Sequence, residues 1–198
     1  WVNSTGEVFN RLEKEGKIVR LGEVLSPGGV EGWWLPTYVV EEHPELKTIE
    51  GIMANPELVE ARFNNCPDGW GCRIVNDNLI KALEMRGTID VFDHGSGETL
   101  STSIAAAYEN KEPWFGYYWG PTAVLGKYKM TKVVIGDIDM DAHKRNSNKD
   151  NAQPAVSDFP PAPVLTVATA DLAKREPEVA ALMGNVSFEI GLLSRLLA

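Results

Sequence analysis

The two cysteines of the chain bracket a turn that holds a tryptophan, Cys66-Pro-Asp-Gly-Trp-Gly-Cys72, and an amphipathic run follows at once. If a helix begins near Cys72, the N–H groups of Gly71, Cys72 and Arg73 have no acceptor inside it. They point outward at its positive end, where a carboxylate or phosphate is bound well. Gly71 lets a ligand approach the backbone closely, and Trp70 stands beside that anion site. The same residues also read as a stapled turn with a packed tryptophan. The cysteine spacing fits a small closed loop and two free core thiols equally well.

The chain holds six tryptophans. Trp1, Trp70 and Trp119 lie in three separate segments, each near a turn. Indole faces attract cations, and a box of several suits a quaternary ammonium, which offers no N–H to hydrogen-bond. Trp33, Trp34 and Trp114 sit in strand-like runs and read as packing residues. For any one of the six taken singly, core packing is the plainer reading.

Other constellations carry less. Asp137, Asp139 and Asp141 alternate as at the start of a calcium loop, but that loop needs Gly at its sixth place and Glu at its twelfth. Ala142 and Asn148 stand there, and a solvated loop is the expectation. His43, His94 and His143 are scattered, with no zinc-ligand spacing, so no metal and no cofactor is expected. A Cys72–His94 nucleophile pair has no local signature. Gly95-Ser96-Gly97 is neither a hydrolase elbow nor a phosphate loop, and reads as a turn that opens a helix.

The elements that must position these residues follow from spacing. Helices are expected over 6–15, from Arg73 to Gly87, over 97–112, and in two closing stretches, 170–184 and 187–198. Strands are expected over 17–25, through Trp33 to Val39, and over 88–93, 113–119, 132–139 and 163–169. Residues 47–63 read as two short helical pieces broken before Pro56, and 141–162 as a loop or crossover. The alternation argues for an α/β architecture with a largely parallel sheet, where ligands meet strand C-termini and helix N-termini.

The chain has 198 residues, 43% hydrophobic and 24% charged, enough for a real core. No apolar run approaches the ~20 residues of a membrane span. A formal charge of −9 makes nucleic acid a poor partner. The first residue is Trp1, with neither initiator Met nor signal peptide, so the chain reads as processed or cut.

"GWWLPTYV", "CPDGWGC" and "AYENKEPWFGYYWGPTAVLGKY", in this order, resemble the glycine betaine/choline substrate-binding proteins of ABC transporters. The resemblance runs over nearly the whole chain. It implies a hinged, two-lobed α/β fold of the type II periplasmic-binding-protein kind, with the first part of lobe I missing. Residues 1–11 would be a lobe I segment, 12–140 lobe II, and 141–198 a crossover and return to lobe I. Trp1, Trp70 and Trp119 would be walls of an indole cage, and Gly71 and Cys72 would offer N–H groups to a ligand carboxylate. Cys66 and Cys72 match a family disulfide. Some members have a histidine where Thr5 stands, and its hydroxyl can donate but brings no charge. The implied function is capture of a quaternary ammonium solute for an ABC permease in the membrane. The protein would be a periplasmic or membrane-associated extracytoplasmic monomer and not an enzyme. A binding protein of this fold for another zwitterion or amino acid is the alternative, and a Cys-dependent enzyme is the reading from a different class.

Overall fold

The computed structural model spans residues 1–198 and describes the side chains of residues 1–2 and 8–198. The chain opens with α1 (Val2–Lys14), β1 (Ile18–Glu23), β2 (Leu25–Ser26) and β3 (Val30–Pro36). It continues through α2 (Thr37–Glu42), α3 (Ile49–Ala54), β4 (Arg62–Asn65), α4 (Gly71–Ala82), β5 (Asp90–Asp93), α5 (Gly97–Asn110) and β6 (Gly116–Gly120). Then come α6 (Ala123–Lys127), β7 (Met130–Lys132), α7 (Met140–Asn146), β8 (Leu165–Thr169), α8 (Ala170–Arg175), α9 (Pro177–Gly184), β9 (Phe188–Glu189) and α10 (Ile190–Leu197).

The main body is a five-stranded sheet in the order β5-β4-β6-β3-β7. Its β4 pairs in parallel with β5 and β6, through the crossovers that α4 and α5 supply. The other half, β6-β3-β7, is antiparallel. The sheet is therefore mixed rather than largely parallel. Only the segments joined by long helices reach parallel partners, whereas β3 is flanked on both sides by strands that run against it. Trp33, Phe63 and Phe115 are fully buried at its centre, with ring centroids 4.6, 5.8 and 5.1 Å apart in pairs. Val75, Leu79 and Ile80 of α4, and Leu100, Ile104 and Ala107 of α5, face this core, as their helical spacing requires.

A smaller body is built from distant parts of the chain. β1 pairs antiparallel with β8, and β2 pairs in parallel with β9. α6 of the main body meets α10 closely: a Cβ built on Gly126 would lie 2.8 Å from the Ala198 Cβ.

Several expected elements differ. The third strand stops at Pro36, which has no N–H for the ladder, and Tyr38 and Val39 belong to α2. α1 begins at Val2, α4 ends at Ala82 well before Gly87, and β6 begins at Gly116. Residues 132–139 do not form a full strand: β7 ends at Lys132 and a single bridge joins Val134 to Thr48. α7 lies in the expected crossover loop, its start capped by Asp139, whose carboxylate accepts from the N–H groups of Asp141 and Ala142. In β8 only Ala168 is buried, the rest being half-buried or exposed. The closing stretches break before Pro177 and begin with a short strand, β9.

Candidate ligand-binding site

The site forms where β4 and β6 end side by side. β4 leads into the loop 66–70, and α4 starts at its far end with Trp70 as N-cap. Cys66 and Cys72 are bridged across this loop, with Cα atoms 6.5 Å apart. A buried amide network fixes the loop from below. The Asn65 side-chain oxygen accepts from the Cys66 N–H at 2.9 Å and from the Asn76 amide at 2.8 Å, and Trp33 Nε1 donates to Asn76 at 3.0 Å. These bonds tie the α4 N-terminus to the central sheet, so the loop geometry is set by buried, fully partnered groups.

Among the described residues the Gly71 and Cys72 N–H groups have no acceptor, and the Trp70 side chain makes no capping bond. Arg73 departs from the expectation, because its N–H already donates to the Trp70 carbonyl at 3.1 Å. Its guanidinium is occupied by Asp68, Asp77 and Asp93 at 3.1, 3.1 and 2.8 Å. The open anion-binding donors at the helix start are therefore two neutral N–H groups at the positive end of a 12-residue helix.

Trp119 ends β6, where Thr122 Oγ1 donates to its carbonyl at 3.3 Å and caps α6. Trp70 and Trp119 meet edge to face, with centroids 5.3 Å apart. Gly97, from the Gly95-Ser96-Gly97 turn, makes room for Trp70: a Cβ there would lie 2.9 Å from its ring. Gly29 does the same for Trp1, since a Cβ built on it would overlap the indole. Trp1, Trp70, Gly71, Cys72 and Trp119 line one cavity of about 240 Å³. Thr5 lies outside the described side chains.

Among the described residues two more line the cavity, Glu31 and Tyr117. In the β3–β6 register Glu31 stands opposite Trp119, and Trp33 opposite Tyr117, so all four share one face. The Tyr117 hydroxyl donates to Glu31 Oε1 at 2.7 Å. Burial pushes the Glu31 carboxyl up from its ordinary pKa, against the pull of that bond. Burial also raises Tyr117 well above the phenol range, with Glu31 adding to the shift. The sequence carried one signal for Glu31: a lone carboxylate between glycines in an otherwise apolar strand.

The remaining candidates go elsewhere. His94 is buried, its Nε2 3.0 Å from the Asn64 side-chain oxygen, and the bridged Cys72 has no thiol to pair with it. Trp33 and Trp114 are core. Trp34 is partly buried and donates to the Tyr118 carbonyl at 3.0 Å. Among the described residues no cluster of His, Cys, Asp and Glu could hold a metal. No helix is long and apolar enough to cross a membrane.

An α/β body that gathers indoles and free N–H groups at its strand ends is the architecture of a small-molecule binding protein. The chain belongs to the family described as the substrate binding domain of the ABC-type glycine betaine transport system (OpuAC), which matches residues 1–198. It is 26% identical over 202 positions to the glycine betaine/proline betaine-binding periplasmic protein of Escherichia coli (strain K12), a match covering 96% of this chain and 60% of that protein. It is similar in structure to an ABC-transporter choline binding protein in complex with choline, with TM-score 0.64, 17% identity, and coverage of 98% of this chain and 61% of the other. Lactococcal OpuAC, closed and complexed with glycine betaine, gives TM-score 0.62 and 14% identity over 96% of this chain and 64% of the other. These likenesses show the shared two-lobed binding-protein fold. The chain spans about 60% of the length of its Escherichia coli relative.

Proposed function

We propose that this protein is the substrate-binding component of an ABC importer, capturing glycine betaine, choline or a related quaternary ammonium solute and handing it to the membrane permease. One observation carries the reading: Trp1, Trp70 and Trp119 line the same cavity as the helix start at Gly71 and Cys72. A cation among indoles gains ~2 kcal/mol or more when desolvated, so several walls together support micromolar binding or better. The two open N–H groups beside them suit the anionic end of a betaine. The cavity, about 240 Å³, suits a small solute.

The ligand would sit between two lobes. On this reading residues 1–11 belong to lobe I, most of 12–140 forms lobe II, and 141–198 returns to lobe I. The β1–β8 pairing draws residues 18–23 towards the returning segment. Closure would be driven only by contacts that are better in the closed state, and would present a lobe surface to the permease. The protein would act as a monomer outside the cytoplasmic membrane, and Thr5 would supply a hydroxyl near the cage. It would perform no catalysis.

Calorimetric or tryptophan-fluorescence titration of the protein at its natural length tests this with glycine betaine, choline, carnitine and proline. Saturable binding of at least one quaternary amine is expected. Binding of none of them sinks the reading, and binding of proline alone favours a site for another zwitterion.

A further inference from the structure

We propose that Glu31 sets the charge of the ligand: its carboxylate is the counter-charge to the cation seated among the indoles, and it makes the site favour a cationic quaternary amine without a carboxylate, a choline-type solute, over a zwitterionic betaine. This rests on the quaternary-ammonium reading above.

Among the described residues that line the cavity Glu31 is the charged one, and it is only 6% exposed. A carboxylate carried into an apolar face costs free energy unless something opposite it compensates. The sequence spends that cost in the middle of Val30–Pro36, a strand whose other side chains are all apolar. Tyr117 holds the group in place, donating to one oxygen at 2.7 Å, but a neutral hydroxyl supplies no charge. Among the described residues the titratable side chain that faces Glu31 is this phenol, from β6. α4 brings Gly71 and the bridged Cys72 to the cavity, neither of which titrates.

The cavity volume, about 240 Å³, forces the consequence. Any ligand that places an ammonium among Trp1, Trp70 and Trp119 also brings it near Glu31. For a choline-type ligand the attraction is undivided. For a betaine the ligand's own carboxylate lies a few bonds from its nitrogen and repels Glu31 across the same small space. The Gly71 and Cys72 N–H groups offset part of that repulsion, so betaine binding is weakened rather than abolished. A seated cation also favours the ionised carboxyl, opposing the burial that disfavours it.

The test is calorimetric titration of the protein at its natural length with choline and with glycine betaine, for the wild type, Glu31→Gln and Glu31→Asp. Glutamine keeps the volume and can still accept from Tyr117, and a melting temperature close to wild type checks that the fold is kept. Glu31→Gln is expected to weaken choline about tenfold or more and glycine betaine by less than about threefold. Glu31→Asp keeps the charge and should keep the preference for choline. Wild-type affinity for choline should fall as the pH is lowered from neutral to about 4.5, and that of Glu31→Gln should stay flat. Equal losses for both ligands, no loss for choline, or a wild type that prefers glycine betaine would each overturn the inference while leaving the quaternary-amine reading in place. A wild type that binds no quaternary amine removes both.

Discussion

Trp119 stands edge-on to Trp70 at 5.3 Å, stacks on Tyr118 at 4.5 Å and lies opposite Glu31 in the strand register. Its indole is half-buried and faces the cavity, so its removal should cost ligand more than fold. Trp119→Ala is expected to weaken a quaternary ligand by about 2 kcal/mol, near thirtyfold, in a calorimetric titration. Trp114 makes the contrast. It is 4% exposed and its Nε1 donates to Ser103 at 3.0 Å. Trp114→Ala should therefore lower stability by about 3–5 kcal/mol in urea melts, with ligand affinity of the folded fraction unchanged. Residue type and turn position marked Trp70, Gly71, Cys72 and Trp119 as candidates beside a plainer packing reading, and the family resemblance singled them out; all four line the cavity. Glu31 and Tyr117 were not legible, because only the β3–β6 register tells which face of each strand they share.

At the scale of elements, the α4 start is what the loop 66–72 exists to hold. The Cys66–Cys72 bridge closes it from above, and the Asn65–Asn76–Trp33 bonds hold it from below. Replacing both cysteines by serine should cost about 2 kcal/mol in urea melts, the amount expected for so short a loop. Loosening the N–H pair of Gly71 and Cys72 should also weaken betaine more than choline, since only betaine has an anion to place there. Paired titrations of the double variant check both. α4 and α5 were legible because their apolar residues recur at helical spacing and face one core. β4 was not: Arg62 and Phe63 read as the end of a helical piece, yet they open a strand whose Asn64 and Asn65 are buried, with their amides bonded to Phe115, Asp93 and Asn76. The apolar run at 132–139 misled in the opposite sense. Val133 and Ile135 are buried by packing, and the chain there finds only one bridge partner.

For the whole molecule, buried titratable groups make stability depend on pH from two directions. His143 is buried with its ring centroid 5.9 Å from that of Phe159, and burial lowers its pKa from the ordinary 6.5. His94 is lowered by burial and then by Arg62, with Asp93 opposing. For both, the unfolded chain takes the proton first as the medium is acidified. The stability present above the ordinary histidine value is therefore lost as pH falls through it towards the depressed folded values. Glu31 has the opposite sign. Its folded pKa lies above the ordinary 4.5, so its contribution is complete below that value and is lost as pH rises through the folded one. Urea midpoints at about pH 5, 6 and 7 bracket the two windows. His143→Gln should shrink the wild-type drop in midpoint on going from neutral to acid. Glu31→Gln should raise the midpoint at neutral pH relative to acid, by removing a buried carboxylate that is costly when ionised. Adding choline at one fixed concentration should raise the neutral-pH midpoint more in the wild type than in Glu31→Gln, because the cation's attraction to Glu31 is part of its binding free energy and the variant lacks it.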